Sequence, residues 1–199
     1  MSDEGVNPSR RRLLAITTGL GLVGTGFAAV PFVLGMTPSA RARAAGAPVE
    51  VDISKLEPGQ LLTVEWRGKP VWILNRTGEM LASLVKLENA VADPTSEDSE
   101  QPEYAKNETR SIKPEILVLV GICTHLGCSP LAKLIGGAPS GLGPDWLGGF
   151  FCPCHGSLFD LSGRVFKNVP APLNLVVPPY AYLSDTRILI GVNQETELA

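Results

Sequence analysis

From Leu13 to Ala40 no side chain is charged, whereas beyond Val49 the apolar residues fall into short runs separated by turn formers. The uncharged stretch Leu13–Met36 has 24 residues. As a helix it would rise ~36 Å, enough for a hydrocarbon core of ~30 Å, so a transmembrane helix is predicted over 13–36. Pro31 would break a helix in water but is tolerated in a membrane span. Gly19, Gly21, Gly24 and Gly26 suit close helix approach there. Residues 37–48 are rich in Ala, Gly and Pro and contain no large apolar side chain. They predict a flexible hinge that could reach ~40 Å when extended.

Past the hinge, the pattern predicts strands at Val49–Ile53, Leu61–Trp66, Val71–Leu74 and Ile116–Val120. Further strands are expected at Phe150–Cys152, Leu158–Asp160, Arg164–Phe166, Leu173–Val177, Tyr180–Leu183 and Ile188–Val192. Glu57–Gln60 and Gly68–Lys69 read as turns, and Gly78–Val85 as one short helix. Asp93–Glu108, polar and interrupted by Pro94 and Pro102, reads as a surface insertion, and Leu134–Gly149 as a glycine-rich surface loop. The fold class is therefore all-β: a small antiparallel domain over 49–199 with an inserted loop-rich subdomain at about 121–173, preceded by one N-terminal transmembrane helix.

Charge divides along the same boundary. Residues 1–48 carry five Arg against Asp3 and Glu4, while 49–199 carry 12 basic and 18 acidic side chains. The acidic domain lacks the basic footprint of a nucleic-acid binder. Arg10, Arg11 and Arg12, just ahead of the span, favour a cytoplasmic N-terminus at 1–12 and an exported domain. Ser9-Arg10-Arg11-Arg12-Leu13-Leu14 resembles a twin-arginine export signal, which implies passage of a folded domain across a bacterial inner membrane. An ordinary Arg cluster at a span, or a signal cleaved near Ala42 or Ala44, would explain parts of this pattern; an uncleaved anchor is expected because signal cores are shorter.

All four Cys and both His lie between positions 123 and 155, in two groups: Cys123-Thr124-His125-Leu126-Gly127-Cys128 and Cys152-Pro153-Cys154-His155-Gly156-Ser157. Each group follows a strand, and Gly127 and Gly156 permit tight turns. A mixed Cys/His set suits an iron–sulfur cluster or, with an unusual ligand order, zinc. A Cys–His nucleophile pair or a pure disulfide framework leaves part of the set unexplained.

The two boxes resemble those of Rieske proteins, and the extra Cys in each is similar to the iron–sulfur subunit of quinol–cytochrome c reductase, the respiratory cytochrome bc complex. The resemblance implies the Rieske fold and one 2Fe–2S cluster, with Cys123 and Cys152 on one iron, His125 and His155 on the other, and a Cys128–Cys154 disulfide. It implies that Ser157 hydrogen-bonds a cluster sulfide, that Leu126 and Pro153 shield the cluster, and that Val169-Pro170-Ala171-Pro172 is the covering proline loop. Phe159 stands where many members carry a Tyr that bonds the sulfur matching Cys123, implying a lowered potential here. Two neutral imidazoles in place of two thiolates leave the site less negative by about two charges and favour reduction. Each imidazole also offers a second ring nitrogen as a proton site.

The function so implied is electron transfer with proton release: from quinol bound at cytochrome b, through the exposed His155 with His125 beside it, to a membrane-bound c-type cytochrome. The complex is expected to be dimeric, with this subunit crossing the bacterial inner membrane once and its cluster domain on the periplasmic side. The rival readings are the Rieske small subunit of another exported oxidoreductase such as arsenite oxidase, a soluble Rieske ferredoxin, and a zinc-stapled interaction domain.

Overall fold

Asn7-Pro8 is a strong helix-start signal, because an Asn side chain can cap free N–H groups and Pro presets the first helical turn. In the structure, a computed structural model that describes residues 7–40, 42 and 46–193, Asn7 accepts from the N–H groups of Ser9 and Arg10. Helix α1 runs Pro8–Gly35, so Arg10–Arg12 lie inside it; the hydropathy pattern had put its start at Leu13. It is long and apolar enough to cross a membrane. The hydroxyls of Thr17 and Thr25 bond back to the carbonyls of Leu13 and Gly21, so neither polar group is left bare on an apolar helix. The chain forms two compact units, 1–44 and 45–199. Residues 1–6 of the expected cytoplasmic tail, and 41 and 43–45 of the expected hinge, lie outside the described residues.

The second unit holds nine described strands: β1 (Val49–Asp52), β2 (Leu61–Trp66), β3 (Lys69–Asn75), β4 (Ile116–Val120), β5 (Leu131–Lys133), β6 (Gly149–Phe151), β7 (Leu158–Phe159), β8 (Tyr180–Ser184) and β9 (Arg187–Ile190). They form three antiparallel sheets, ordered β1-β9-β8, β2-β3-β4 and β5-β6-β7. Arg67 and Gly68, both with positive φ, make the two-residue turn that sets Trp66 opposite Lys69. β4, Ile116–Val120, is buried throughout, as its unbroken apolar run demands. Helix α2 (Gly78–Lys86) is capped by the Thr77 hydroxyl, with Glu79 in its first turn and Lys86 in its last.

Three expectations need correction. Arg164–Phe166 makes only isolated bridges, Val91 to Phe166 and Phe159 to Val165, because the N–H groups of Arg164 and Val165 donate to the side chains of Asp160 and Asn174 instead of to a ladder. Leu173–Val177 is no strand either: its backbone pairs singly, with Leu175 N–H on Gly163 and the Val176 carbonyl on Val120, between Pro172 and Pro178. The insertion at 93–108 is not confined to the surface, since Asp93, Ser96, Ser99 and Ala105 are buried.

That insertion leads into a buried polar network. Arg164 Nε contacts Asp160 Oδ2 at 2.7 Å with both side chains buried, and Asp160 Oδ1 accepts the N–H groups of Ser162 and Arg164, each at 2.8 Å. Arg110 donates to the carbonyls of Leu175 (2.7 Å) and Ser162 (3.2 Å), and Arg76 to the carbonyl of Leu161 (3.1 Å) and to Ser162 Oγ (2.8 Å). Burial pulls the Arg76 and Arg110 guanidinium groups down to about 10, which leaves both charged at neutral pH. Arg76 follows β3 and Arg110 follows the insertion, so two separate parts of the chain grip one turn, 160–164, just past the second Cys/His box.

Candidate metal centre

The two Cys/His boxes fold into loops with the same hydrogen-bond pattern. In the first, Cys123 N–H donates to the Cys128 carbonyl at 2.7 Å and Gly127 N–H to the Cys123 carbonyl at 3.0 Å. In the second, Cys152 N–H donates to the Ser157 carbonyl at 2.8 Å and Gly156 N–H to the Cys152 carbonyl at 2.9 Å. The fifth residue of each loop, whose N–H closes the turn, is left-handed and is supplied by Gly127 (φ 82) and Gly156 (φ 79). Two loops of one design thus present a Cys at their first position and a His two or three residues later.

β4 delivers Cys123 and β6 delivers Cys152. Both are buried, unpaired thiols. The rings of His125 and His155 meet edge to face with centroids 4.8 Å apart. His155 is exposed and His125 half-buried. Cys128 and Cys154 form a disulfide that spans 26 residues and ties the loops together; in the chain-entropy picture such a bridge stabilises by ~3–4 kcal/mol. The sulfurs of Cys128, Cys152 and Cys154 lie within 4.8 Å of one another, but two of them are spent on the bridge and cannot also serve as thiolate ligands.

The surroundings of Cys123 suit a metal-bound thiolate. Burial pushes its thiol up and its contact with Cys152 adds to this, while the His125 N–H and the Ser157 hydroxyl pull it down. Two donors therefore already point at a buried sulfur that a metal would hold without its proton. Two buried thiols and two imidazoles are a donor set that fits a diiron cluster of mixed ligation. Zinc accepts the same atoms, so the donors alone do not choose between them.

The segment Val169–Pro172 is fastened to both loops. Ala171 N–H donates to Ser157 Oγ at 3.0 Å, and Thr124 Oγ1 donates to the Leu173 carbonyl at 2.6 Å. The second clasp was not anticipated, although a Thr between two ligand candidates was its one signal. Leu126 is 71% exposed, and Pro153 is exposed as well, so both present apolar surface outward. Phe159 is fully buried, pairing with Phe150 in β6. Phe150 in turn stacks on Trp72 at 4.9 Å. Trp146, given no role by the sequence, donates its indole N–H to the Lys133 carbonyl at 2.9 Å and stacks on Phe166, pinning the 134–149 loop.

The family model described as the Rieske 2Fe–2S domain matches residues 99–180, which include both boxes. A second, described as the ubiquitinol-cytochrome C reductase Fe-S subunit TAT signal, matches residues 1–39. The ubiquinol–cytochrome c reductase iron–sulfur subunit of Allochromatium vinosum is 66% identical, over 96% of this chain and 92% of its own. Its counterpart in Rhodospirillum rubrum is 45% identical, over 96% of each chain. Among solved structures, a chain of a hyperthermophilic respiratory Complex III is 28% identical, with a TM-score of 0.47 over 87% of this chain and 98% of that one.

Proposed function

This chain belongs to the iron–sulfur subunits of ubiquinol–cytochrome c reductase, and we propose that within that electron-transferring complex Cys123 and Cys152 hold one iron of its 2Fe–2S cluster while His125 and His155 hold the other. The observation that carries the assignment is that two loops of one design each bring a free buried thiol and an imidazole, with the two imidazoles in edge-to-face contact. When bound, the cluster supplies a one-electron acceptor whose potential is raised by its neutral ligands.

The chain's own residues do the rest. His155, exposed, presents the ring nitrogen not used for iron to a quinol hydroxyl and takes its proton. Leu126 offers an apolar rim beside it, which displaces water where the domain meets cytochrome b. Ser157 and the His125 N–H offset part of the burial that pushes the Cys123 thiol up, so that iron would meet a sulfur already offered two donors. The Cys128–Cys154 bridge and the two clasps to 171–173 hold the loops in place, so little has to rearrange when charge changes.

The domain division follows from the same reading: cytoplasmic tail 1–12, anchor 13–36 within the longer helix α1, hinge 37–48, and cluster domain 49–199. Arg10–Arg12 keep the N-terminus in the cytoplasm, so the acidic domain faces the periplasm of a bacterial inner membrane. The hinge lets the domain pass from cytochrome b to a c-type cytochrome, in a complex built as a dimer. Deletion of this chain should abolish quinol–cytochrome c reductase activity in membranes. The wild-type chain should restore it, His155→Ser should not, and b-type haem should co-purify with the tagged chain. Activity that survives the deletion, or a purified complex without b-type haem, refutes the reading.

A further inference from the structure

We propose that Cys152, once released from iron, attacks the Cys128–Cys154 disulfide, so that the bound cluster is what keeps this bridge correctly paired. The inference rests on Cys152 being a cluster ligand, as proposed above. Cys152 is a free thiol. Its sulfur lies within 4.8 Å of both sulfurs of the bridge. Cys152 and Cys154 share one short loop, and the bridge itself holds Cys128 of the other loop against it. Thiol–disulfide exchange needs only a thiolate that can reach a disulfide sulfur. A thiolate coordinated to iron has its electron pair committed and is held in one place.

The two sulfurs of the bridge are not equivalent targets. Cys154 is exposed and Cys128 half-buried. Attack at Cys128 expels Cys154 as a thiolate into water, where its charge is solvated. Attack at Cys154 would expel the less exposed Cys128 and close a ring between residues only two apart. The step therefore runs as follows. The Cys152 thiol gives its proton to solvent, and its sulfur bonds to Cys128 Sγ. The Cys128–Cys154 bond breaks, its electron pair leaves on Cys154 Sγ, and that sulfur takes a proton from water. One disulfide is present before and after, so neither an oxidant nor a reductant takes part.

The product has lost a ligand. Cys152 is locked to Cys128, and the chain cannot take up a second cluster until the bridge is reduced. Cluster loss in an oxidising compartment is then irreversible, and loading has to precede or accompany formation of the bridge. A signal for export of a folded domain meets that order, because the cluster is already in place when the chain reaches the oxidising side.

The test uses the full-length protein in detergent. The cluster is removed by an iron chelator under anaerobic, non-reducing conditions, free thiols are alkylated after an acid quench, and bridges are mapped by mass spectrometry. Before chelation, in a separate sample alkylated in the native state at neutral pH without the quench, Cys123 and Cys152 should resist alkylation; a loaded protein in which Cys152 reacts at once contradicts the ligand reading and the proposal together. After chelation, the Cys128–Cys154 peptide should be lost in most molecules, replaced by a Cys128–Cys152 peptide with alkylated Cys154. Retention of Cys128–Cys154 with Cys152 alkylated overturns the exchange while leaving the ligand reading intact, and so does any other new bridge. Cys152→Ser, treated in parallel, should keep the original bridge. Loss of that bridge in the variant would mean general scrambling and would also overturn the proposal.

Discussion

Ser157→Ala separates what one hydroxyl does for folding from what it does for the electron. Ser157 is fully buried; its oxygen accepts the Ala171 N–H at 3.0 Å and its proton is directed at the Cys123 sulfur. The substitution orphans a buried N–H, which costs about 1–3 kcal/mol of stability. In a domain of this size that lowers the melting temperature by roughly 2–4 °C per kcal/mol. It also removes a donor from a sulfur that becomes more negative on reduction. If the lost bond favoured the reduced form by about 1.4–3 kcal/mol, the reduction potential falls by ~60–130 mV, since a one-electron tenfold step is ~59 mV. Potentiometric titration of the purified protein, followed by EPR, reads the second effect, and thermal unfolding of the loaded protein reads the first. A melting temperature that falls while the potential stays at the wild-type value would refute the assignment of this hydroxyl to the cluster.

Phe159→Tyr adds a hydroxyl at a fully buried position beside β6. It should raise the potential in the same titration, and no rise would mean that the new donor does not reach the Cys123 sulfur. Arg164→Met leaves the carboxylate of Asp160 buried without its 2.7 Å partner and should cost about 3–5 kcal/mol in urea unfolding; a loss under 1 kcal/mol would show that the N–H groups of residues 162 and 164, donating to Asp160, suffice alone. Thr124→Val unfastens the Leu173 carbonyl and should destabilise by about 1–3 kcal/mol while keeping the ligands intact. An unchanged unfolding midpoint would show that the Val169–Pro172 segment is held by Ser157 alone.

The centre could be read from sequence because metal ligation leaves a local trace: six rare residues in two short boxes, each with its turn glycine. The core strands were readable for a similar reason, since runs such as Ile116–Val120 are apolar throughout and bounded by turn formers. What escaped was whatever depends on partners distant along the chain. Arg76, Arg110, Asp160 and Arg164 look like surface charges in a row of letters; only the fold shows that three guanidinium groups converge on one turn. Leu173–Val177 has the composition of a strand, yet its backbone groups pair one at a time with Gly163 and Val120, which leaves no ladder to detect. β5, Leu131–Lys133, is short and largely exposed, so it carries almost no apolar signal. The helix begins five residues ahead of the expected span because its cap at Asn7 is polar and hydropathy does not register it.

The proposed cluster needs two imidazole nitrogens, from His125 and His155, to reach iron. Pulsed EPR of the reduced full-length protein, prepared with nitrogen-15 histidine, measures this directly. Two inequivalent histidine nitrogen couplings, changed in frequency by the label, are the predicted result. A reduced cluster without histidine nitrogen coupling, or a protein that contains zinc and no acid-labile sulfide, would contradict it.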